Sequence, residues 1–268
     1  MSVVQMNQSP PSMTRLGPVV LLLTSFGTAL PCAAFAQGPD SPAFEVTTIK
    51  PSDPDTAGPL IGISVGRLTL TAFTLKELMV YAHWVHPNQV LGTSGWMDTQ
   101  KFDIVAKPEK GFSSQDQLRQ MLQALLADRF KLKYHRGQRE LPAYALTLSK
   151  GGSKMKPRTP GDGGPGFRLV FQGNSLPGRN ASIAQMIFVL QTRALDRPVI
   201  DQTGLTGNFD FNLSWSSDPV GGTRGAATDS DSPDLFTAMQ TQLGLKLESR
   251  RAPVEVVVID QAQKPDAN

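Results

Sequence analysis

The sequence predicts an α+β fold made of two duplicated modules, each an antiparallel sheet with two helices on one face. Three observations carry this expectation. Apolar residues recur at both strand and helix spacing, capping residues mark the helix starts, and the order of these signals in residues 66–148 returns in residues 169–259. Composition agrees: of 268 residues, 40% are hydrophobic and 18% charged, too apolar and too weakly charged for a disordered chain. With Gly 24 and Pro 21, the chain stays below the low-complexity range, so collagen-like, coiled-coil and multi-span membrane classes are excluded.

The first element is a targeting segment. Arg15 is the only charge before residue 40, and an apolar stretch from Leu16 to Ala36 follows it, broken by Gly17, Pro18, Gly27 and Pro31 and ending Ala34-Phe35-Ala36. A charged start, a short apolar run and an A-x-A site predict a signal peptide over residues 1–36, cut before Gln37. The uninterrupted apolar run is shorter than the roughly 20 residues a membrane span needs. Pro31 directly before Cys32 is wrong for a lipoprotein site, so cleavage removes the chain's single cysteine. The mature chain is then expected to use no disulfide, thiolate nucleophile or Cys-ligated zinc.

After it, residues 42–157 form the first module, residues 158–166 a Gly/Pro-rich linker and residues 167–266 the second module. Phe44–Lys50 is an opening strand. Thr74-Leu75-Lys76-Glu77 and Ser182-Ile183-Ala184-Gln185 are matching capping boxes, followed by apolar residues at helical spacing: Leu75, Leu78, Met79 and Ala82 in one, Ile183, Met186, Ile187 and Leu190 in the other. Val90-Leu91-Gly92-x-x-Gly95 and Phe102-Asp103-Ile104 then answer Val199-Ile200-Asp201-x-x-Gly204 and Phe209-Asp210-Phe211. Ser114 and Ser232-Pro233 open the second helix of each module. The expected helices lie near 75–85, 115–127, 183–193 and 233–243, with Gly244 closing the last. The second helix of each module is followed by an alternating strand, a turn and a last strand, Ala143–Leu148 or Val254–Ile259. Ser149–Gly166 holds six glycines and three prolines in 18 positions and predicts a flexible connector, while Ser216–Asp231 predicts an exposed loop.

These residues also carry a family likeness. Phe44-Glu45-Val46, Ile49-Lys50-Pro51-Ser52, Gly66-Arg67, Gly95-Trp96-Met97-Asp98, Leu125-Leu126-Ala127-Asp128-Arg129-Phe130-Lys131-Leu132, Glu140-Leu141-Pro142-x-Tyr144-Ala145-Leu146, Asp201-x-Thr203-Gly204-Leu205-Thr206-Gly207-x-Phe209-Asp210 and Gly244-Leu245-Lys246-Leu247 together resemble an uncharacterised family of secreted proteins expanded as paralogues in soil acidobacteria. Related domains of unknown function are linked to penicillin-sensor-type membrane metallopeptidases. The resemblance implies an extracytoplasmic address and no assigned catalytic residues. A shorter likeness, Gly66-Arg67-Leu68-Thr69-Leu70 followed by Thr74–Leu78, is similar to the N-terminal domains of secretins and TonB-dependent receptors and implies a periplasmic interaction module.

Charge narrows the partners. The chain has 26 basic and 23 acidic residues, and removal of Arg15 leaves 25 against 23, a net of +2, which is no nucleic-acid signature. The halves differ: residues 42–158 carry 16 basic and 10 acidic residues, residues 159–268 carry 9 and 12. Lys131, Lys133, Arg136 and Arg139, continued by Lys150, Lys154, Lys156 and Arg158, form a basic strip that is the candidate interaction surface, fitting an anionic polymer or an acidic envelope or extracellular protein. Tyr134 is its only aromatic, so nucleic acid is not an expected partner.

No catalytic constellation is expected. His83 and His86 have i, i+3 spacing without a nearby carboxylate to complete a metal site, and His135 lacks a matched partner for base catalysis. Asp103 and Asp210 recur in both modules, which favours a shared structural job. Ser94-Gly95 and Thr203-Gly204 lie outside a nucleophile elbow, Gly95, Gly204 and Gly207 suit turns with φ > 0, and Gly161-Asp162-Gly163-Gly164 lacks the lysine of a phosphate loop. The expected function is therefore a non-enzymatic extracytoplasmic binding or protein-interaction module, without cofactor or metal. The alternative is a secreted hydrolase of envelope or polymeric material.

Overall fold

The computed structural model describes residues 43–56, 58–64, 66–108, 114–159, 168–169, 171–216 and 233–266. The predicted signal peptide, most of the predicted linker, most of the loop expected over Ser216–Asp231, and Ser232 lie outside the described residues. Three four-stranded sheets and the helices between them make an α+β fold.

The first sheet is antiparallel. It contains β1 (Phe44–Pro51), β2 (Leu60–Ser64), β3 (Arg67–Thr74) and β5 (Lys101–Pro108), in the order β1-β5-β3-β2. Helix α1 (Leu75–His83) starts where the sequence places it, because Thr74 accepts the Glu77 N–H while Glu77 returns to the Thr74 N–H. It ends two residues before the expected boundary: Trp84 turns left-handed (φ 53°, ψ 45°) and stops the ladder. A 3-10 turn over Pro87–Gln89 leads to the short strand β4 (Val90–Leu91), then helix α2 (Trp96–Thr99) and β5. Helix α3 (Gln115–Arg129) is capped by Ser114 and packs Leu118, Leu122, Leu125 and Leu126 onto the first core.

The second sheet, β7 (Lys156–Pro157), β8 (Arg168–Leu169), β9 (Ser175–Ser182) and β11 (Asn208–Ser214), is also antiparallel, with order β7-β11-β9-β8. Helix α4 (Ile183–Arg193) follows β9 behind the predicted Ser182/Gln185 box. The short strand β10 (Val199–Asp201) comes between α4 and β11. The last helical segment differs from expectation. Asp234, not Ser232, caps α5 (Leu235–Ala238), which continues as a π turn over Met239–Leu243 and stops at Gly244. Gly244 is obligatory there: its φ is +69°, and a Cβ would fall 2.0 Å from the Gly152 carbonyl oxygen.

The third sheet corrects the expected turn before each final strand. Residues 133–148 form one 16-residue strand, β6 (Lys133–Leu148), and residues 245–261 one 17-residue strand, β12 (Leu245–Gln261). They pair with each other, antiparallel, from Lys133 opposite Gln261 to Leu148 opposite Leu245. Segments that suggest turns in isolation, around Pro142 and Pro253, are held straight by this partner more than a hundred residues away. β4 adds parallel to β12 at Val257 and Val258, and β10 adds parallel to β6 at Tyr144, Ala145 and Leu146.

Each long strand thereby serves both cores. Leu132, just before β6, and Tyr134, at its start, join the first core together with Val257 and Ile259, at the end of β12. Tyr144 and Leu146 join the second core together with Leu245 and Leu247. Burying a large aliphatic side chain contributes about 1.5–3 kcal/mol, so each core draws several kcal/mol from strands that also anchor the other.

Candidate functional site

The residues singled out by sequence fall into three groups. The first is structural. Asp103 Oδ1 accepts from the Ala72 N–H (3.1 Å) and Ser52 Oγ (2.6 Å), and Asp210 Oδ1 accepts from the Asn180 N–H (2.8 Å). Ala72 (φ 61°) and Asn180 (φ 51°) are non-glycine residues with left-handed backbones at register shifts in β3 and β9. Each aspartate thus fastens a strained bulge, and the Asn180 N–H holds the Asp210 carboxyl below its usual pKa. Thr203 is also structural: its hydroxyl donates to Asp201 and accepts from the Leu205 N–H. Gly95, Gly204 and Gly207 have positive φ, as their turns require.

The histidines form the second group. His86 caps the 3-10 turn: its Nδ1 accepts from the Asn88 N–H and its own N–H donates to Gln89. Burial lowers its pKa. His135 sits on the surface beside Asp260 at 2.8 Å. His83 is different. It is buried edge-on against Tyr134 (4.7 Å between ring centres), neither ring nitrogen has a hydrogen-bond partner among the described residues, and burial, with Arg136 and Arg119 nearby, pushes its pKa down to about 4. It lines a cavity of about 270 Å³ with Trp84, Arg119, Gln89, Gln191 and Asp201. Among the described residues no His/Cys/Asp/Glu group gathers in metal-binding geometry.

The basic strip is the third group, and the fold disperses it. Lys131 pairs with Asp128, Lys154 Nζ donates to the Thr241 carbonyl, and Arg158 pairs with Asp210 in the second sheet. Lys133 and Arg139 are exposed on one face of β6, whereas Arg136 lies on the other face, opposite buried Val257, and pairs with Glu255. Of the four cations chosen from sequence, Lys133 and Arg139 therefore share one face of β6 and Arg136 lies on the other.

The arrangement best suited to a ligand is a cleft of about 600 Å³ between α1 and α4. The two helices offer the same spacing to it: Lys76, Glu77, Val80 and Tyr81 from α1, and Phe188, Val189, Thr192 and Arg193, at i, i+1, i+4 and i+5 again, from α4. Phe73, Ile61, Leu169 and Phe171 extend its apolar lining. Tyr81 and Phe188 meet at 5.8 Å, and Phe188 stacks on Trp84 at 5.4 Å with planes 13° apart, so aromatic contacts tie the two helices together here.

Most polar groups around the cleft are already engaged. Glu77 serves the α1 cap, Lys76 pairs with Asp98 at 3.5 Å, and Thr192 donates to the Phe188 carbonyl. Two are not: the Tyr81 hydroxyl and the exposed Arg193 guanidinium have no hydrogen-bond or ion-pair partner among the described residues. Burial raises the Tyr81 pKa, so its phenol stays protonated and can donate. An apolar lining with a neutral donor and a free cation is the chemistry that receives an apolar body carrying an acidic group. Sequence reasoning missed this site because it arises only when α1 and α4 come together. The available signal was the pair Val80-Tyr81 and Phe188-Val189, apolar residues at matching places in the two capped helices.

Comparison with known proteins gives one match. The family model described as Protein of unknown function (DUF3738) matches residues 76–262, more than half of the chain and including both helices of the cleft. No curated protein and no solved structure matches.

Proposed function

The chain belongs to the DUF3738 family of proteins of unknown function, and we propose that it is an extracytoplasmic binding protein that holds an amphipathic acid, with an apolar body and a carboxylate, between α1 and α4. The observation that carries this reading is the cleft itself: two helix faces of equal spacing, an apolar lining and only Tyr81 and Arg193 left unengaged. Arg193 meets the carboxylate at the exposed end, and Tyr81 donates to it or to a neighbouring oxygen. The Leu16–Ala36 pattern supports delivery across the inner membrane, after which the protein is periplasmic or secreted. Among the described residues no helix is long and apolar enough to cross a membrane.

The same reading treats the fold as a duplication. Sheet orders β1-β5-β3-β2 and β7-β11-β9-β8 correspond strand for strand, as do α1 with α4 and β4 with β10, which supports two copies of one unit whose first helices meet to make the cleft. Titration with dodecanoate, followed by calorimetry and by Trp84 fluorescence, tests the function. The expected result is saturable one-to-one binding that Arg193→Ala weakens roughly tenfold, the scale of a lost hydrogen bond to a charged group. Equal binding of dodecylamine, or no saturable binding of either, would reject an acid-binding cleft.

A further inference from the structure

Among the described residues, strand β2 is an outer strand of the first sheet, bonded to β3 on one side only. All five of its residues are exposed, including Leu60 at 63%, Ile61 at 37% and Ile63 at 49%. Soluble proteins guard such edges with charges, prolines or bulges. The other outer strands of the two antiparallel sheets follow that rule: β1 carries Glu45, Lys50 and Pro51, β7 is Lys156-Pro157, and β8 begins with Arg168. β2 reads Leu-Ile-Gly-Ile-Ser, with neither charge nor proline, and its ladder to β3 has no register shift.

The strand is also complementary to itself. A two-fold axis through Gly62 sets Ile61 opposite Ile63 of a second copy and Leu60 opposite Ser64, all antiparallel. The isoleucines then share one face. It is the face of Leu70 and Leu68, their partners across β3, both of which belong to the first core. Because the strand is uncharged, bringing two copies together sets no like charges against each other, which a charged edge could not offer. We propose that two copies of this chain join through β2, edge to edge, into one continuous eight-stranded sheet. Ile61 also lines the cleft, but the pairing is argued from the edge of β2 and not from the ligand assigned there.

Cysteine placement tests the register. Gly62 can accept a side chain: its φ is not left-handed, and a Cβ would come no closer than 3.7 Å, to Thr69. Residues directly opposite in an antiparallel pair have Cα atoms about 4.5 or 5.5 Å apart, within disulfide reach. In a Cys32→Ser background, Gly62→Cys should oxidise to a covalent dimer. Leu60→Cys and Ser64→Cys alone should form no covalent dimer, while an equal mixture of the two should cross-link.

Sedimentation equilibrium of the purified protein should show mass rising from that of one chain toward twice that value over about a hundredfold range of concentration. Leu60→Lys/Ile63→Lys, neither of which lines the cleft, should remain monomeric and keep its dodecanoate affinity. A monomer at every concentration, cross-linking that does not select position 62, or a dimer insensitive to the lysines would each overturn the proposal. Loss of dodecanoate binding in an otherwise dimeric protein would count against the cleft alone.

Discussion

At the scale of single residues, the polar groups that recur in the sequence prove to hold the backbone. Asp103 illustrates it: recurrence with Asp210 pointed to a structural job, and the structure shows the strained N–H it accepts at Ala72. Asp103→Ala should destabilise the protein by about 2 kcal/mol, whereas Asp103→Asn, which keeps an acceptor oxygen, should cost less than half as much; denaturant midpoints at neutral pH would check both. His83 gives a pH dependence. Its folded pKa, about 4, lies below the usual 6.5, so the unfolded chain binds the proton more readily. The stability this linkage supplies is full above pH 6.5 and is lost as pH falls through about 4, a loss on the order of 3 kcal/mol. His83→Leu should flatten that slope in urea titrations between pH 7 and 4. An unchanged slope would place the dependence elsewhere.

Secondary-structure elements were legible in proportion to how local their causes are. The caps at Thr74, Ser114 and Ser182 depend on side chains within three residues of the helix start, and the structure shows each of them. The last helix was harder, because Asp234 competes with Ser232 and the π turn over Met239–Leu243 has no short-range signature. β6 and β12 were divided in two because Pro142 and Pro253 look like turns until the distant partner strand is known. The course of the basic strip was hidden for the same reason: alternation along a continuous β6 puts Arg136 on the face opposite Lys133 and Arg139. Lys133→Gln/Arg139→Gln should therefore change stability by no more than about 0.5 kcal/mol. Gly244→Ala, in contrast, meets both a left-handed backbone and the Gly152 carbonyl, and should cost more than about 3 kcal/mol in thermal or urea unfolding.

For the whole molecule, the interleaving of β6 and β12 makes the two cores interdependent and so sets where α1 and α4 face each other. The sequence showed two matching sets of elements, and nothing local could show that each set lends a strand end to the other. An independent pair of domains would let the cleft open and close freely; shared strands instead hold it preformed, which reduces the ordering cost of binding. The two cores should thus unfold as a single cooperative body. Two tryptophans report on it, Trp96 against the first core and Trp215 within the second. Urea unfolding of two variants, each with one of these as its sole tryptophan, should give transitions of the same midpoint and slope once each is corrected for its own variant's circular dichroism curve. Fluorescence transitions that separate from that curve, with one core melting while the other stays folded, would contradict it.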